Sequence, residues 1–150
     1  MPRLDDAVRL TRLDFQPSAR QPSMPLTALG MAVGVLLSVA VNMLLVHAAI
    51  WLFPGLAGYE HFRFSDYARL TVIGALMACA GWPVLTRVSS APIRIYLAVA
   101  VLGTLVLWLP DIYILFVLRE PARAVATLMV MHAAVPLVSC ASMIAIARRS

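Results

Sequence analysis

The polar and apolar positions of this chain fall into long blocks rather than an alternation. Four apolar runs, Leu26–Phe53, Tyr67–Thr86, Ile93–Leu118 and Ala122–Ala147, are separated by short polar stretches. A bilayer core is crossed by about 20 predominantly apolar residues of helix, and each run reaches that length. In lipid the backbone must satisfy its own hydrogen bonds, so a span is a helix or a strand of a closed barrel. Strict alternation, which a barrel strand requires, is missing from all four runs. The pattern predicts an all-α polytopic membrane protein. Its core is a four-helix transmembrane domain over 26–147, preceded by a polar N-terminal segment over 1–25.

Composition agrees with that solvent. Apolar residues make up 62% of the chain and charged residues 13%, against about 45–50% and 25% in soluble domains. The chain has no Lys, so all 12 of its basic residues are Arg, and its net charge is +5. A Schiff-base lysine mechanism is thereby excluded. The arginines lie at the ends of the runs, where they set topology, and nucleic acid is not implied as a partner.

Arg3, Arg9, Arg12, Arg20, Arg87, Arg94, Arg148 and Arg149 fall on one side of the bundle. Arg63, Arg69, Arg119 and Arg123 fall on the other, partly offset by Glu60, Asp66 and Glu120. The excess of basic residues on cytoplasmic loops predicts both termini inside, in a multi-pass cytoplasmic-membrane protein. Val46-His47-Ala48 has the small-residue look of a cleavage site. The apolar stretch before it is longer than a signal sequence, so the first run is read as a retained span.

Within the N-terminal segment, Leu4, Val8, Leu10 and Leu13 line one side of a short helix that would lie on the membrane surface or dock a partner. A flexible tail that only helps set topology explains the same residues, and the Pro/Ser/Gln stretch ending at Pro25 favours it. Trp51, Phe53, Tyr59 and Tyr67 are expected in an outer interfacial belt, and Trp82 and Tyr96 at the inner interface. Pro121, after the tight Arg119-Glu120 turn, suits the first turn of a helix. Spans three and four should therefore form a close antiparallel hairpin.

Span one carries Gly30, Gly34, Ser38 and Asn42 at every fourth position. Small residues at this spacing let two helix backbones approach closely, which is how helices associate in lipid. The ladder predicts a packing face, either inside the bundle or between protomers. Cys79 and Cys140 lie inside spans two and four, each roughly 4–8 Å to the cytoplasmic side of the midplane at 1.5 Å per residue. Pairing is geometrically open to them, and burial as two small hydrophobes carries more weight.

Ionisable residues at membrane depth are function candidates by default. Here they are His47, Asp111 and His132, all expected on the outer side, roughly 5–11 Å from the midplane. A cluster of the three would suit a transition metal, a proton relay or a quinone headgroup. Against it, His47 points about 140° from Asn42 at 100° per residue. Asp111 follows Pro110, which removes a helix hydrogen bond and leaves an interfacial capping role open. His132, Pro136 and Cys140 share one side of span four, and Pro136 frees the His132 carbonyl, a natural place for a kink. A plain hydrogen bond from His132 to Asp111 across the hairpin explains the same residues without a site. No spacing marks a metal set, and no Gly-rich phosphate loop, Cys-x-x-Cys, His-Glu-x-x-His or nucleophile elbow is present. No cofactor and no enzymatic activity are expected.

The segments Ala40-Val41-Asn42-Met43-Leu44-Leu45, Gly81-Trp82 with the basic loop to Arg94, and Thr127–His132 resemble a family of small four-span membrane proteins from high-GC Gram-positive bacteria. The resemblance covers most of 26–149 and implies a four-helix integral membrane protein with no assigned activity. The function expected from the residues is a non-enzymatic accessory or assembly subunit. It would pack against another membrane protein, or against a second copy, through the Gly30–Asn42 face and the Arg-rich tail. The alternative is a homo-oligomeric small-molecule, proton or metal binding or transport protein using Asp111 and His132.

Overall fold

The computed structural model describes residues 15–18 and 21–149. The amphipathic segment around Leu4 to Leu13 lies outside the described residues. Four helices follow in order: α1 Met24–Leu52, α2 Phe64–Val88, α3 Pro92–Phe116 and α4 Ala122–Ala147. Among the described residues there is no strand. All four are long and apolar enough to cross a membrane. The shortest, at 25 residues, is about 38 Å long at 1.5 Å per residue, against about 30 Å of hydrocarbon.

The element ends follow local chemistry. Pro25 and Pro92 sit in the first turns of α1 and α3, where a missing N–H breaks no helix bond. Pro83, Pro110 and Pro136 lie inside α2, α3 and α4, and each helix continues through its proline. The chain turns between α3 and α4 through Arg119, which takes a left-handed φ of 56°.

Helix α4 is the hub, packing on α1, α3 and α2. Helix α1 lies against α4 and α2. Helix α3 lies outermost, against α4 and to a lesser extent α2. One end of the bundle carries the 53–63 loop and the 117–121 turn (the loop end), and the other carries the start of α1, the 89–91 link and the end of α4 (the terminal end). The loop folds inward through two short 3-10 turns, Pro54–Leu56 and Glu60–Phe62. Between them Gly58 at φ +93° makes a bend that a side chain would strain. Leu56 and Phe62 thereby join Val46, Ala49, Tyr67, Ala124 and Met131 in a buried cluster at the loop end. A second cluster at the terminal end holds Cys79, Trp82, Tyr96, Cys140, Met143 and Ala147.

Three aromatic residues expected at the interfaces are core residues instead. Tyr67, Trp82 and Tyr96 are buried. Tyr96 O–H donates to the Ala78 carbonyl at 2.8 Å, and its ring meets Trp82 edge to face at 5.2 Å. Trp51 stays exposed. At the other end of α2, the stretch before α1 returns to the bundle. Phe15 N–H and Ser18 N–H donate to the Val88 and Thr86 carbonyls at 3.1 and 2.8 Å. Those carbonyls belong to the last turn of α2, which has no helical N–H beyond it to bond.

Candidate functional site

The ladder of α1 is an internal seam. Gly30, Gly34, Ser38 and Asn42 are all buried, and Thr27, Val46 and Ala49 extend the stripe. A Cβ at Gly34 would meet Cys79 Sγ at 3.0 Å, Ser142 Cβ at 3.5 Å and Ser139 Cα at 3.7 Å. A Cβ at Gly30 would meet Met143 Sδ at 3.0 Å. Glycine is what lets α1 settle against α4 and α2 at this depth. Asn42 Nδ2 donates to Thr71 Oγ1 of α2 at 2.8 Å. This corrects the expectation that the Gly30–Asn42 face meets a partner protein, because the chain's own helices cover it.

The ionisable residues divide. Asp111 of α3 and His132 of α4 are joined, Nδ1 to Oδ2, at 2.7 Å. The Asp111 side chain is 3% exposed and that of His132 35%. His47 is elsewhere. It lies exposed on α1, with Nδ1 2.7 Å from the Met43 carbonyl of its own helix, so the expected three-residue cluster does not form. Among the described residues, no three of His, Cys, Asp and Glu come together in a way that could hold a metal ion. The reason is rotational: Val46 and Ala49 face the bundle, and His47 and Ala48 between them, at 100° steps, point outward.

Asp111 is buried because α3 continues past Pro110 to Phe116, so its carboxyl is carried inward against α4 rather than left at an interface. One turn away, Trp108 Nε1 donates to the Met129 carbonyl at 2.9 Å. The two bonds clamp α3 to α4 with Asp111 and His132 in fixed register. Two proton distributions satisfy the Asp–His contact. Either the ring N–H donates to a carboxylate, or a carboxylic O–H donates to the ring. In both, Nδ1 is engaged with Asp111, and Nε2 is the nitrogen left to exchange a proton or meet a ligand. Pro136, four residues on, cannot return an amide hydrogen bond to the His132 carbonyl.

A third polar group belongs to this end of the bundle and was not singled out from sequence. Tyr59, in the loop between α1 and α2, has a buried hydroxyl with no hydrogen-bond partner among the described residues. Burial first, then the negative charges of Glu120 and Asp111, push its phenol above the ordinary value. Tyr59 is held by edge-to-face contacts with His61 at 5.3 Å and Phe62 at 5.1 Å. In sequence it reads as a belt residue. Only the inward fold of the loop, set by Gly58 and the two short turns, brings it within reach of Asp111.

Comparison with protein-family models, with curated protein sequences and with solved structures finds no match to this chain.

Proposed function

We propose that this chain is a multi-pass membrane protein that passes protons through the Asp111–His132 pair. The supporting observation is the 2.7 Å contact between an almost fully buried carboxyl and an imidazole that keeps a third of its surface open. Asp111 fixes the ring through Nδ1, and Nε2 exchanges the proton. Ionisable groups at membrane depth that pair with one another mark such pathways. Four spans in one chain make a small transporter, so this reading includes a homo-oligomer. The arginine distribution supports placing both termini in the cytoplasm.

The test is proton flux into liposomes carrying the purified protein and an entrapped pH dye, driven by a potassium diffusion potential. Uptake is expected with the natural chain and is lost in His132→Ala and in Asp111→Asn. Flux no greater than in empty liposomes would overturn the proposal.

A second reading, a non-enzymatic accessory subunit, draws on a different observation. Helix α3 buries only Pro92, Tyr96 and Asp111, so most of its surface is left to lipid or to another membrane protein. Native mass spectrometry after gentle extraction tests it. An added protein mass that is not a multiple of the chain's own supports this reading. A bare monomer, together with proton flux, counts against it.

A further inference from the structure

The terminal end holds a cavity that the Asp111–His132 pair does not use. It has a volume of about 540 Å³ and opens to the surface where the end of α2, the start of α3 and the end of α4 meet. Sites that take a small molecule usually run to about 300–1,000 Å³.

The charges around it are of one sign. Arg94 and Arg148 line the cavity, and no carboxylate does. Among the described residues neither guanidinium forms an ion pair. The described acidic residues, Glu60, Asp66, Asp111 and Glu120, all belong to the loop-end half of the molecule. The chain's other acids, Asp5, Asp6 and Asp14, are outnumbered in sequence by Arg3, Arg9, Arg12 and Arg20, so that segment brings no net negative charge.

Two further features of the cavity lack an acceptor. Arg94 is the third residue of α3, whose first turn has no acidic residue and whose start has no side-chain cap. The positive end of a helix dipole with an arginine on it is short of an anion. Trp82, in the same wall, is 2% exposed, and its Nε1 hydrogen has no acceptor among the described residues.

Much of the remaining wall is apolar, including Pro92, Ile93 and Ile144. From Ile93 an exposed apolar face of α3 continues through Leu97 and Val101, one turn apart. Arginine stems at the ends of such helices lie along apolar surface while their heads reach the headgroup level. A free anion has no use for this wall. A ligand with a charged head and an apolar body does.

We propose that this cavity binds an anionic phospholipid. Arg94, Arg148 and the start of α3 take its phosphate, and its acyl chains run along Ile93, Leu97 and Val101. Basic pockets between membrane helices hold anionic headgroups in this way. A zwitterionic lipid fits less well, since its ammonium group would meet two arginines and no carboxylate. The site is separate from the Asp111–His132 pair and stands whether or not the chain passes protons.

The test is native mass spectrometry of the full chain in detergent, offered equal amounts of phosphatidylglycerol and phosphatidylcholine with the same acyl chains. The phosphatidylglycerol adduct should be favoured at least roughly tenfold, which one hydrogen bond to a charged group supplies. The Arg94→Gln, Arg148→Gln double variant should bring the two lipids to near parity. Arg87→Gln with Arg149→Gln removes the same charge from the same end, outside the cavity lining, and should keep the preference. Equal adducts on the natural chain would overturn the proposal. So would an equal fall in the two double variants, since general surface charge would then explain the preference. Inorganic phosphate at the lipid concentration should leave the adduct in place, and displacement by it would assign the site to a free anion instead. The comparison of lipids on the natural chain decides the matter even if a variant does not fold.

Discussion

Helices α1 and α3 look alike in sequence, both continuous apolar runs with no charged residue near their centres, yet they hold different places. Helix α1 buries seven residues in one stripe from Thr27 to Ala49, against α4 and α2. Helix α3 buries three, two of them at its start, with Asp111 as the third. Apolarity does not sort helices in lipid, because the tails are as apolar as Leu. Two things do. Small residues in register admit another backbone, and α1 has them at every fourth position. A single polar group that must find a partner orients its helix, and Asp111 does this for α3. One helix is placed by shape along its length, the other by a few hydrogen bonds, from Tyr96 near its start and from Trp108 and Asp111 toward its end.

The largest expected effect is at Gly34. In Gly34→Leu the new side chain collides with Cys79 Sγ and has the Ser139 backbone behind it. That wall is not the flexible end of a side chain, so α1 must move. A loss of at least about 3 kcal/mol is expected, the upper range for overpacking, read by steric trapping in bicelles. The matched control is Gly103→Leu in α3, where a Cβ meets nothing within 4 Å, and a change within about 0.5 kcal/mol is expected. Equal effects at the two glycines would dissolve the distinction between the helices.

Next is the bond that places α3. A double-mutant cycle between Asp111→Asn and His132→Ala should give a coupling of about 1.5–3 kcal/mol, the range for a hydrogen bond to a charged group. Ordinary side-chain hydrogen bonds in membrane proteins average about 0.6 kcal/mol. A coupling near that lower figure would mean that the pair is neutral glue. It would weaken the proton-pathway proposal along with the view that Asp111 orients α3. The comparison bond is Asn42 to Thr71, between two neutral groups. A double-mutant cycle between Asn42→Ala and Thr71→Val should give a coupling close to that same figure, about 0.6 kcal/mol.

These contrasts also mark what could be read from the sequence. The four spans were legible because bilayer thickness imposes a length that the apolar runs display, and α4 keeps the expected bounds, Ala122–Ala147. The ladder was legible as a packing face because fourth-residue spacing of small side chains is local. Its partner was not, since nothing in Gly30 or Gly34 says whether Ser139 of the same chain or another protein fills the groove. The Asp111–His132 bond was one of two readings, and it depended on whether α3 carried on past Pro110. Proline removes one hydrogen bond without deciding whether the helix stops. His47 could be set aside from rotation alone. Tyr59 could not be found, because its approach to Asp111 depends on a loop path that no periodicity records. Tyr67, Trp82 and Tyr96 were misplaced for a related reason. An aromatic ring near a helix end suits the membrane interface and the core equally, and only the packing of neighbouring helices decides.

The smallest effect tests whether the loop end is one electrostatic unit. The Tyr59 phenol is held above its ordinary value of 10.0 by burial first, then by the charges of Glu120 and Asp111. A group whose folded value is raised keeps its proton more firmly when folded. Its stabilising contribution is complete below the unfolded value and is lost as pH climbs through the folded one. The natural chain should therefore lose stability above about pH 10, the unperturbed phenol value, and Tyr59→Phe should lose less over the same range. Near neutral pH the two should differ little, since the hydroxyl that Phe removes has no partner to leave behind. Subtracting the two profiles, measured by thermal unfolding in detergent from pH 7 upward, cancels every other titrating group the chains share. If the Glu120 and Asp111 charges reach Tyr59, the difference should shrink in an Asp111→Asn background, where one of them is gone. A difference that is unchanged there would leave burial and Glu120 as the whole cause, and would separate the loop from the Asp111–His132 pair.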